Sequence, residues 1–299
     1  MDPRHVSIDG QLSPADAPHL SATDRGFQLG DAVFETLRAR AGRSIELAQH
    51  VERFRHSLEL LEIDAGPDLA PRLARWIAEL LTAEGLAGAA GDAAVRITIS
   101  RGAGPGRGIL PPATRPTVVI QCWPMEPPPP TLLASGARLT LSTIRRDPEN
   151  PMAAVKSTSR ADSVYARLEA RRAGADDALF LTTDGYLSEA TSANLFLVRD
   201  GRLLTPSLAC AILAGTTRGW LLGWGERVGL RPDEGFLTTR DLAEADEAFL
   251  SSSVAGVLPV TQLDDSPIGT GRPGPWTLRA RADREACFTG DEAIAGEPA

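Results

Sequence analysis

Lysine is almost absent from this 299-residue sequence. The chain carries 31 basic residues, and Lys156 is the only lysine among them. On a solvated surface lysine and arginine are nearly interchangeable, and one lysine can persist there by chance. An amine can also lose its proton and attack a carbonyl carbon to form a Schiff base, which a guanidinium cannot do. The surrounding stretch PMAAVKSTSRAD has no carboxylate within three positions of the lysine, so both interpretations stay open at this point.

Other residue types and patterns are scarce as well. The four histidines all lie in the first sixth of the chain, and three cysteines are scattered without metal-ligand spacing, so a zinc site, a disulfide framework or a Ser-His-Asp triad is poorly supplied. No run of about 18 apolar residues suggests a membrane span, and the N-terminus lacks the apolar core of a secretory signal. The net charge of −8 argues against broad nucleic-acid binding. We expect a cytoplasmic protein without a metal site.

Proline supplies the clearest division of the chain. Residues 122–131, CWPMEPPPPT, contain four consecutive prolines, which cannot lie inside a helix or a central strand. We therefore expect a small N-terminal domain over residues 1–121, a linker over 122–131 and a larger C-terminal domain over 132–299 that carries Lys156. Strands and helices are mixed, with turn sequences rather than strict strand–helix alternation between them, so both domains are expected to be α+β.

Hydrophobic periodicity locates most of the regular elements. In the first part we predict strands over 31–40, 93–102 and 116–123 and helices over 46–63 and 69–86. In the second part we predict a strand over 137–146, a helix after Lys156, a strand meander over 177–206 with turns at TDG and RDG, and helices over 215–229 and 275–288. Residues 247–260 are predicted to form a strand that runs into a loop.

A Schiff-base lysine without a metal set points either to a carbonyl substrate or to pyridoxal phosphate. The second needs a partner for the pyridine nitrogen and a binding site for the phosphate. Six segments resemble those of the class IV, or fold-type IV, pyridoxal-phosphate enzymes in order and spacing: DRGFQLGDAVFETLR, HVERF, the lone lysine, GYLSEATSANLFLV, LAGTTR and FLSSSVAGVLPV. The resemblance runs from about residue 20 to about residue 260. The class IV enzymes include D-amino acid transaminases, branched-chain transaminases, (R)-amine transaminases and aminodeoxychorismate lyases.

The resemblance implies roles for individual residues. Lys156 matches the lysine that forms the Schiff base with pyridoxal 5'-phosphate and moves the proton. Glu189 matches the carboxylate that keeps the pyridine nitrogen protonated, although by itself it could be a solvated residue at a strand end. Arg53 matches the phosphate arginine, although it could also be a solvent-facing helix residue.

Two further segments match the rest of the phosphate site. Thr216 and Thr217 stand at the start of a predicted helix, where backbone N–H groups and the helix dipole favour an anion. Ser252 and Ser253 match the last phosphate contact, although short hydroxyl runs are also common in caps and loops.

The substrate-binding pattern departs from the D-amino acid transaminases. Phe34 occupies the position of their tyrosine, and Gly106 and Gly108 replace their Arg-x-His, with Arg107 between them. Arg107 is the expected replacement for the carboxylate contact, and a solvent-exposed loop arginine is the alternative. The loop SRGAGPGRGIL and the arginine of KSTSR resemble the lyases, whereas DRGFQLGDAVFETLR is closer to the D-amino acid transaminases.

These similarities predict amino transfer between a D-amino acid, with (R)-amines as an extension, and a 2-oxo acid such as 2-oxoglutarate or pyruvate. Aminodeoxychorismate lyase is the alternative. A branched-chain transaminase is less expected because the strand reads VFETLR instead of VFEGxR. A binding protein that kept the fold and lost the chemistry is opposed by the retained Lys156 and Glu189. The resemblance also implies a homodimer.

Overall fold

The computed structural model describes residues 4–17, 20–104, 108–110 and 114–289. Contacts divide the chain into two compact units. The first unit comprises Met1–Glu126 and Val155–Arg160, and the second comprises Pro127–Ala154 and Ala161–Ala299. Within the described ranges, no helix is long and apolar enough to cross a membrane.

The first unit is a six-stranded antiparallel sheet with helices packed on it. Its elements are β1 (His5–Ile8), β2 (Gln11–Pro14), α1 (Arg25–Leu29), β3 (Ala32–Arg40), β4 (Arg43–Ser44), α2 (Leu47–Leu60), α3 (Leu69–Ala83), β5 (Asp92–Ser100) and β6 (Thr117–Pro124). The strand order is β2-β1-β6-β5-β3-β4. The predicted helices and strands of this part are confirmed, with shifts of a few residues at their ends.

The core of the first unit lies between one face of this sheet and the two longer helices. Strand β3 alternates, so that Val33 and Leu37 join this core. Helix α2 contributes Val51, Phe54 and Leu58, the stripe that its periodicity predicts. The opposite face of β3 carries Phe34, which is also buried. The strand is therefore covered on both sides, and this is where the predicted site residues begin to cluster.

The second unit is built on a larger mixed sheet. Its elements are α4 (Pro130–Ser135), β7 (Ala137–Arg146), a 3-10 turn (Pro151–Ala154), α5 (Ala161–Arg172), β8 (Asp177–Thr182), β9 (Leu187–Ala190), β10 (Asn194–Arg199), β11 (Arg202–Pro206), a 3-10 turn (Leu208–Cys210), α6 (Thr216–Val228), β12 (Arg231–Gly235), α7 (Thr239–Ala243), β13 (Glu247–Ser252), β14 (Gly256–Leu263), β15 (Ser266–Pro267) and α8 (Pro275–Thr289). The strand order is β12-β11-β10-β13-β14-β7-β8-β9, and β15 pairs with β14. The expected α+β class is confirmed.

Two expectations about the second unit need correction. The run over 177–206 is not a continuous meander: β8–β9 and β10–β11 are separate hairpins, with β13, β14 and β7 lying between them in the sheet. Turn residues fix only the local pairing, as at Asp200 and Gly201 with their positive φ angles. The segment over 247–260 is likewise a hairpin, because β13 pairs with β14.

The boundaries between the parts also differ from those expected. Strand β6 continues to Pro124, and α4 begins at Pro130, where a proline is tolerated because the first helical N–H has no partner. The extended connection is therefore shorter than residues 122–131. Lys156 belongs to the first unit and not to the C-terminal one, because the chain around it hydrogen-bonds to β3.

Candidate active site

Residues 156–158 lie alongside β3 and are fixed there by backbone hydrogen bonds. The N–H of Phe34 donates to the carbonyl of Lys156 (2.9 Å), and the N–H of Thr158 donates to the carbonyl of Ala32 (2.9 Å). Gly30, with φ +67°, permits this approach, since an added Cβ would lie 2.3 Å from Ser159 Oγ. The lysine backbone is therefore held by tertiary hydrogen bonds rather than by a helix or sheet of its own.

The lysine side chain is partly buried and lies against Phe34. Its Nζ is 4.8 Å from the centroid of the Phe34 ring. Val155 and Ser157 on either side are buried. This setting does not fit a chance lysine on a solvated surface. Phe34, predicted to line the substrate site, is therefore brought together with Lys156.

A second cation lies on the same aromatic ring, and the sequence-based reasoning missed it. The Cζ of Arg96, on β5, is 3.9 Å from the Phe34 centroid. Burial lowers the pKa of the Arg96 guanidinium, and the charge of Arg160 lowers it further. Arg96 forms no ion pair with any residue in the described part of the chain. The one sequence signal for Arg96 is the alternation of side chains along β5, which places Arg96 on the face of the sheet opposite to the core residues Val95 and Ile97.

Arg53 belongs to a buried charged cluster that also includes Glu35 and His50. Its Nε donates to Glu35 Oε1 (2.8 Å), and its Nη2 donates to Glu35 Oε2 (2.6 Å). His50 Nδ1 lies 2.7 Å from Glu35 Oε2. Burial opposes the charged form of Glu35, but hydrogen bonds from His50 and Arg53 together with their charges lower its pKa to about 2. Arg53 is thus a clamped residue and not a solvent-facing one, and Glu35 and His50 are residues that the sequence did not reveal.

In the second unit Glu189 is held at the end of β9. Its Oε2 accepts hydrogen bonds from the Leu213 N–H (3.1 Å) and from Asn194 Nδ2 (3.2 Å). Asn194 Nδ2 also donates to the Leu213 carbonyl (2.9 Å). A Cβ on Gly215 would lie 2.1 Å from Asn194 Oδ1, so only glycine fits there. Asn194 therefore links the carboxylate to the start of α6, a role that sequence reasoning did not assign.

The predicted hydroxyl groups gather at the start of α6. Gly215 is the N-cap and has no side chain to satisfy the first N–H groups of the helix. Thr216 Oγ1 lies 2.9 Å from Ser253 Oγ, which joins the helix start to the β13–β14 turn. Ser252 is used differently, because its Oγ accepts from the Ala255 N–H (3.2 Å) within that turn. Thr216 and Ser253 are therefore brought together, whereas Ser252 stabilises the turn.

A further hydroxyl belongs to Ser251, which immediately precedes Ser252 in β13. Ser251 is buried, and its Oγ has no hydrogen-bond partner among the described residues. Thr217 is also buried and accepts a long hydrogen bond from Arg284 Nη2 (3.4 Å). A helix start without a side-chain cap, with several hydroxyls beside it, has the chemistry of an anion site.

Arg107 lies outside the described residues. No group of three or more His, Cys, Asp or Glu within the described ranges is placed to hold a metal ion.

A family model described as amino-transferase class IV matches residues 32–263, well over half of the chain. The chain belongs to the class IV aminotransferases. Its sequence relatives in this family carry different activities. It is 32% identical to a putative branched-chain-amino-acid aminotransferase of Methanocaldococcus jannaschii (92% of this chain, 93% of the relative). It is 29% identical to a D-alanine aminotransferase of Bacillus licheniformis (91% and 93%) and 31% identical to an aminodeoxychorismate lyase of Vibrio harveyi (84% and 92%).

Solved structures support the same assignment. The branched-chain amino acid aminotransferase of Escherichia coli superimposes with a TM-score of 0.91 at 26% identity (99% of this chain, 98% of the other). A T.th. branched-chain amino acid aminotransferase with pyridoxamine 5'-phosphate gives a TM-score of 0.90 at 29% identity (98% and 96%). This class IV aminotransferase therefore has the fold-type IV architecture, and its family uses pyridoxal 5'-phosphate.

The residues of this chain fit that cofactor. Pyridoxal phosphate requires an amine for its aldehyde carbon, a carboxylate for its ring nitrogen and an anion site for its phosphate. The chain has a group of each kind: the sole lysine, the hydrogen-bonded carboxylate of Glu189, and the start of α6, which lacks a side-chain cap. The buried Ser251 hydroxyl, which has no hydrogen-bond partner among the described residues, is a further donor that no contact within the protein uses.

Proposed function

We propose that this class IV aminotransferase moves an amino group between an α-amino acid and a 2-oxo acid. Both substrates carry a carboxylate next to the carbon that exchanges the amino group, so the enzyme needs a cation close to its lysine. The observation that carries the proposal is Arg96, which lies on the same Phe34 ring as Lys156 and has no ion pair within the described ranges. Arg96 is thus available for the substrate carboxylate, and Arg160 adds to the positive potential there.

The other residues are assigned by the chemistry that each can perform. Bound pyridoxal phosphate supplies an electron sink for the electron pair left at the substrate Cα when its proton is removed. Lys156 Nζ accepts that proton and later returns one, as a general base and acid. Glu189 keeps the proton on the ring nitrogen. Arg53, together with the start of α6 (Thr216, Thr217) and the serines Ser252 and Ser253, is assigned to the phosphate.

For the amino donor we propose a D-amino acid. This choice is supported by the DRGFQLGDAVFETLR segment and by the D-alanine aminotransferase relative. Phe34 in place of a hydroxyl-bearing residue leaves an apolar ring beside Lys156, so (R)-amines that lack a carboxylate are expected to be accepted as well. We expect 2-oxoglutarate or pyruvate to be the amino acceptor.

Two other donors have specific support. A branched-chain L-amino acid is favoured by the Methanocaldococcus jannaschii relative and by the E. coli structure. Aminodeoxychorismate cleavage is favoured by the Vibrio harveyi relative and by the SRGAGPGRGIL loop. These activities differ in products, so one assay panel separates them.

The test measures product formation by the purified enzyme with each class of substrate. D-alanine, D-glutamate, L-leucine and (R)-1-phenylethylamine are supplied with 2-oxoglutarate or pyruvate, and the carbonyl product is quantified. Aminodeoxychorismate is supplied without an acceptor, and 4-aminobenzoate is quantified. Turnover with D-amino acids supports the proposal. If only L-leucine reacts, the branched-chain assignment replaces it, and if only 4-aminobenzoate forms, the enzyme is the lyase.

A pair of arginine variants tests the carboxylate contact. Arg96→Met should raise the KM for the preferred amino acid on the order of tenfold to a hundredfold, because a hydrogen bond to a charged group contributes roughly 1.5–3 kcal/mol. It should leave the donor half-reaction with (R)-1-phenylethylamine, measured in a single turnover without a 2-oxo acid, almost unchanged, because no carboxylate takes part in it. Arg43→Met, on the exposed strand β4, is the control. An equal effect on both substrates would show that Arg96 does not bind the carboxylate, and Arg107→Ala then tests the second candidate in the same way.

We also propose that the enzyme works as a homodimer in the cytoplasm. The dimer is implied by the family resemblance. Fractionation of cells that produce the protein tests the location, and its recovery outside the cytoplasmic fraction would contradict it.

A further inference from the structure

A glutamine of β6 lies beside Arg96 on one face of the sheet of the first unit. The neighbours of Gln121 along the strand, Ile120 and Cys122, both belong to the core. Because side chains alternate along a strand, Gln121 projects from the opposite face. Arg96 projects from that same face of β5, and the pairing of β5 with β6 places it directly across from Gln121. The two residues are therefore neighbours on the face that also carries Phe34.

The side-chain amide of Gln121 is open to a ligand. The residue is partly exposed, and its amide forms no hydrogen bond with any residue in the described part of the chain. An amide can donate two hydrogen bonds and can also accept. Thr36, which faces Arg96 from the other side on β3, has a much shorter side chain. Gln121 is thus the neighbour of Arg96 whose polar group reaches furthest over the sheet.

The spacing of the strands fits a substrate with two carboxylates. Strand β5 lies between β3 and β6, so these outer strands are about 10 Å apart. The guanidinium of Arg96 lies towards β3, because its Cζ is 3.9 Å from the Phe34 ring centroid. An extended glutamine side chain covers about 5 Å of the distance from β6. The remaining gap of about 5 Å equals the separation of the two carboxyl carbons of extended 2-oxoglutarate.

The chemistry of the amide then decides which substrates gain from it. Oxygen atoms at the far end of a substrate side chain accept hydrogen bonds from the Gln121 amide. An apolar chain end removes water from the amide and leaves its hydrogens without an acceptor, which is unfavourable. A polar group in a pocket rejects such an analogue more strongly than an apolar wall rejects a polar substrate.

We propose that Gln121 is a specificity-determining residue whose amide binds the oxygen atoms at the far end of the substrate side chain. It makes the enzyme favour 2-oxoglutarate over 2-oxo acids with an apolar chain. The inference rests on the proposed amino transfer and on the binding of the other carboxylate by Arg96. It does not depend on whether the donor is a D- or an L-amino acid, because the reacting carbon of a 2-oxo acid is not a stereocentre.

The test compares acceptors that differ only at the far end of the chain. The enzyme loaded with pyridoxamine 5'-phosphate is mixed with 2-oxoglutarate, 2-oxohexanoate or pyruvate, and the acceptor half-reaction is followed by absorbance. The wild type should prefer 2-oxoglutarate to 2-oxohexanoate, whose apolar chain has a similar length. Gln121→Met keeps the length of the side chain and should lower this preference on the order of tenfold. The rate with pyruvate, which has no second carboxylate, should hardly change.

A binding measurement checks the same contact without any reaction. Glutarate and hexanoate lack the oxo group, and calorimetry gives their affinities for the wild type and for Gln121→Met. Gln121→Met should weaken glutarate binding and leave hexanoate binding unchanged or stronger.

Matched variants separate a hydrogen bond from general packing. Gln11→Met makes the same replacement on the exposed strand β2 of the same sheet and should leave the preference unchanged. Gln121→Asn keeps a shorter amide and should retain part of the preference, and it serves if Gln121→Met does not fold. Arg96→Met should slow the reaction with all three acceptors, because each of them has the carboxylate assigned to Arg96.

The outcomes distinguish this inference from the proposed function. If the Gln121 variants keep the wild-type preference, or slow all three acceptors equally, Gln121 does not bind the far end of the substrate. If the wild type uses 2-oxohexanoate as well as 2-oxoglutarate, the inference is wrong while amino transfer stands. If the wild type reacts with none of the acceptors, amino transfer itself is wrong and the inference fails with it.

Discussion

Replacement of Glu35 by glutamine tests the charged cluster that holds Arg53. The change keeps the size of the side chain and removes its charge. Glu35 is fully buried and accepts two hydrogen bonds from Arg53, with His50 beside it. Without the carboxylate, the guanidinium remains in place but loses its counter-charge. We expect the first unit to become less stable and Arg53 to lose its fixed orientation.

The magnitude follows from the pKa of Glu35, which falls from its ordinary value of 4.5 to about 2. At roughly 1.36 kcal/mol for each pKa unit, this difference corresponds to about 3 kcal/mol. Removal of one partner from a buried ion pair costs roughly 3–5 kcal/mol in other proteins, which agrees. The folded-state pKa lies below the unfolded one, so this stability is fully present above pH 4.5. It is lost as the pH falls towards 2, with roughly 1 kcal/mol remaining at about pH 3.

The assay is urea denaturation of the wild type and of Glu35→Gln, followed by fluorescence and circular dichroism between about pH 7 and about pH 3. Glu52→Gln, an exposed residue of the same helix as Arg53, is the control and should differ from the wild type by less than about 0.5 kcal/mol. The gap between wild type and Glu35→Gln should be constant from about pH 7 to about pH 5 and narrow at about pH 3. A variant as stable as the wild type at neutral pH, or a gap that does not narrow, would refute the reasoning.

Three further predictions concern the active site and the assembly. Lys156→Arg should abolish multiple turnover, because a guanidinium cannot form the covalent bond or relay the proton; sustained turnover in a steady-state assay would contradict this. Glu189→Gln should keep cofactor affinity within about tenfold of the wild type, since the amide oxygen can still accept from Leu213 and Asn194. It should slow removal of the Cα proton in single-turnover experiments. Equal rates in variant and wild type would assign the ring nitrogen to another group. Sedimentation at assay concentration should show a homodimer, and an active monomer would rule out the need for a partner.

The sequence alone was sufficient for the cofactor chemistry. One lysine among 31 basic residues and six short segments in register led to the family, which the match over residues 32–263 confirms. The longer helices and strands also followed from their periodicity, since α2 and β3 each need one face against the core. These features depend on neighbours along the chain, so the sequence carries them directly.

The residues that could bind the substrate carboxylate were harder to predict from the sequence. Phe34 was identified from its strand, but the cation that shares its ring, Arg96, is one of thirty arginines and has no local signature. Arg107 was predicted because it lies between the two glycines that replace the Arg-x-His pattern, whereas Arg96 is a candidate only because the pairing of β5 with β3 brings it to the Phe34 ring. An arginine can be recognised as a candidate binding group only when the structure shows that no carboxylate pairs with it.

What the sequence determined, then, is the set of reactive groups and the regular elements that carry them. Tertiary structure alone decided which unit holds Lys156, that Glu35 clamps Arg53, and that Arg284 reaches Thr217 from α8. The physical reason is the distance along the chain over which each kind of interaction acts. Periodicity and turn chemistry act over a few residues, whereas these contacts join positions 18, 67 or more than 100 residues apart. Such pairs form because burial of a hydrophobic core within each unit brings the strands and helices of that unit together.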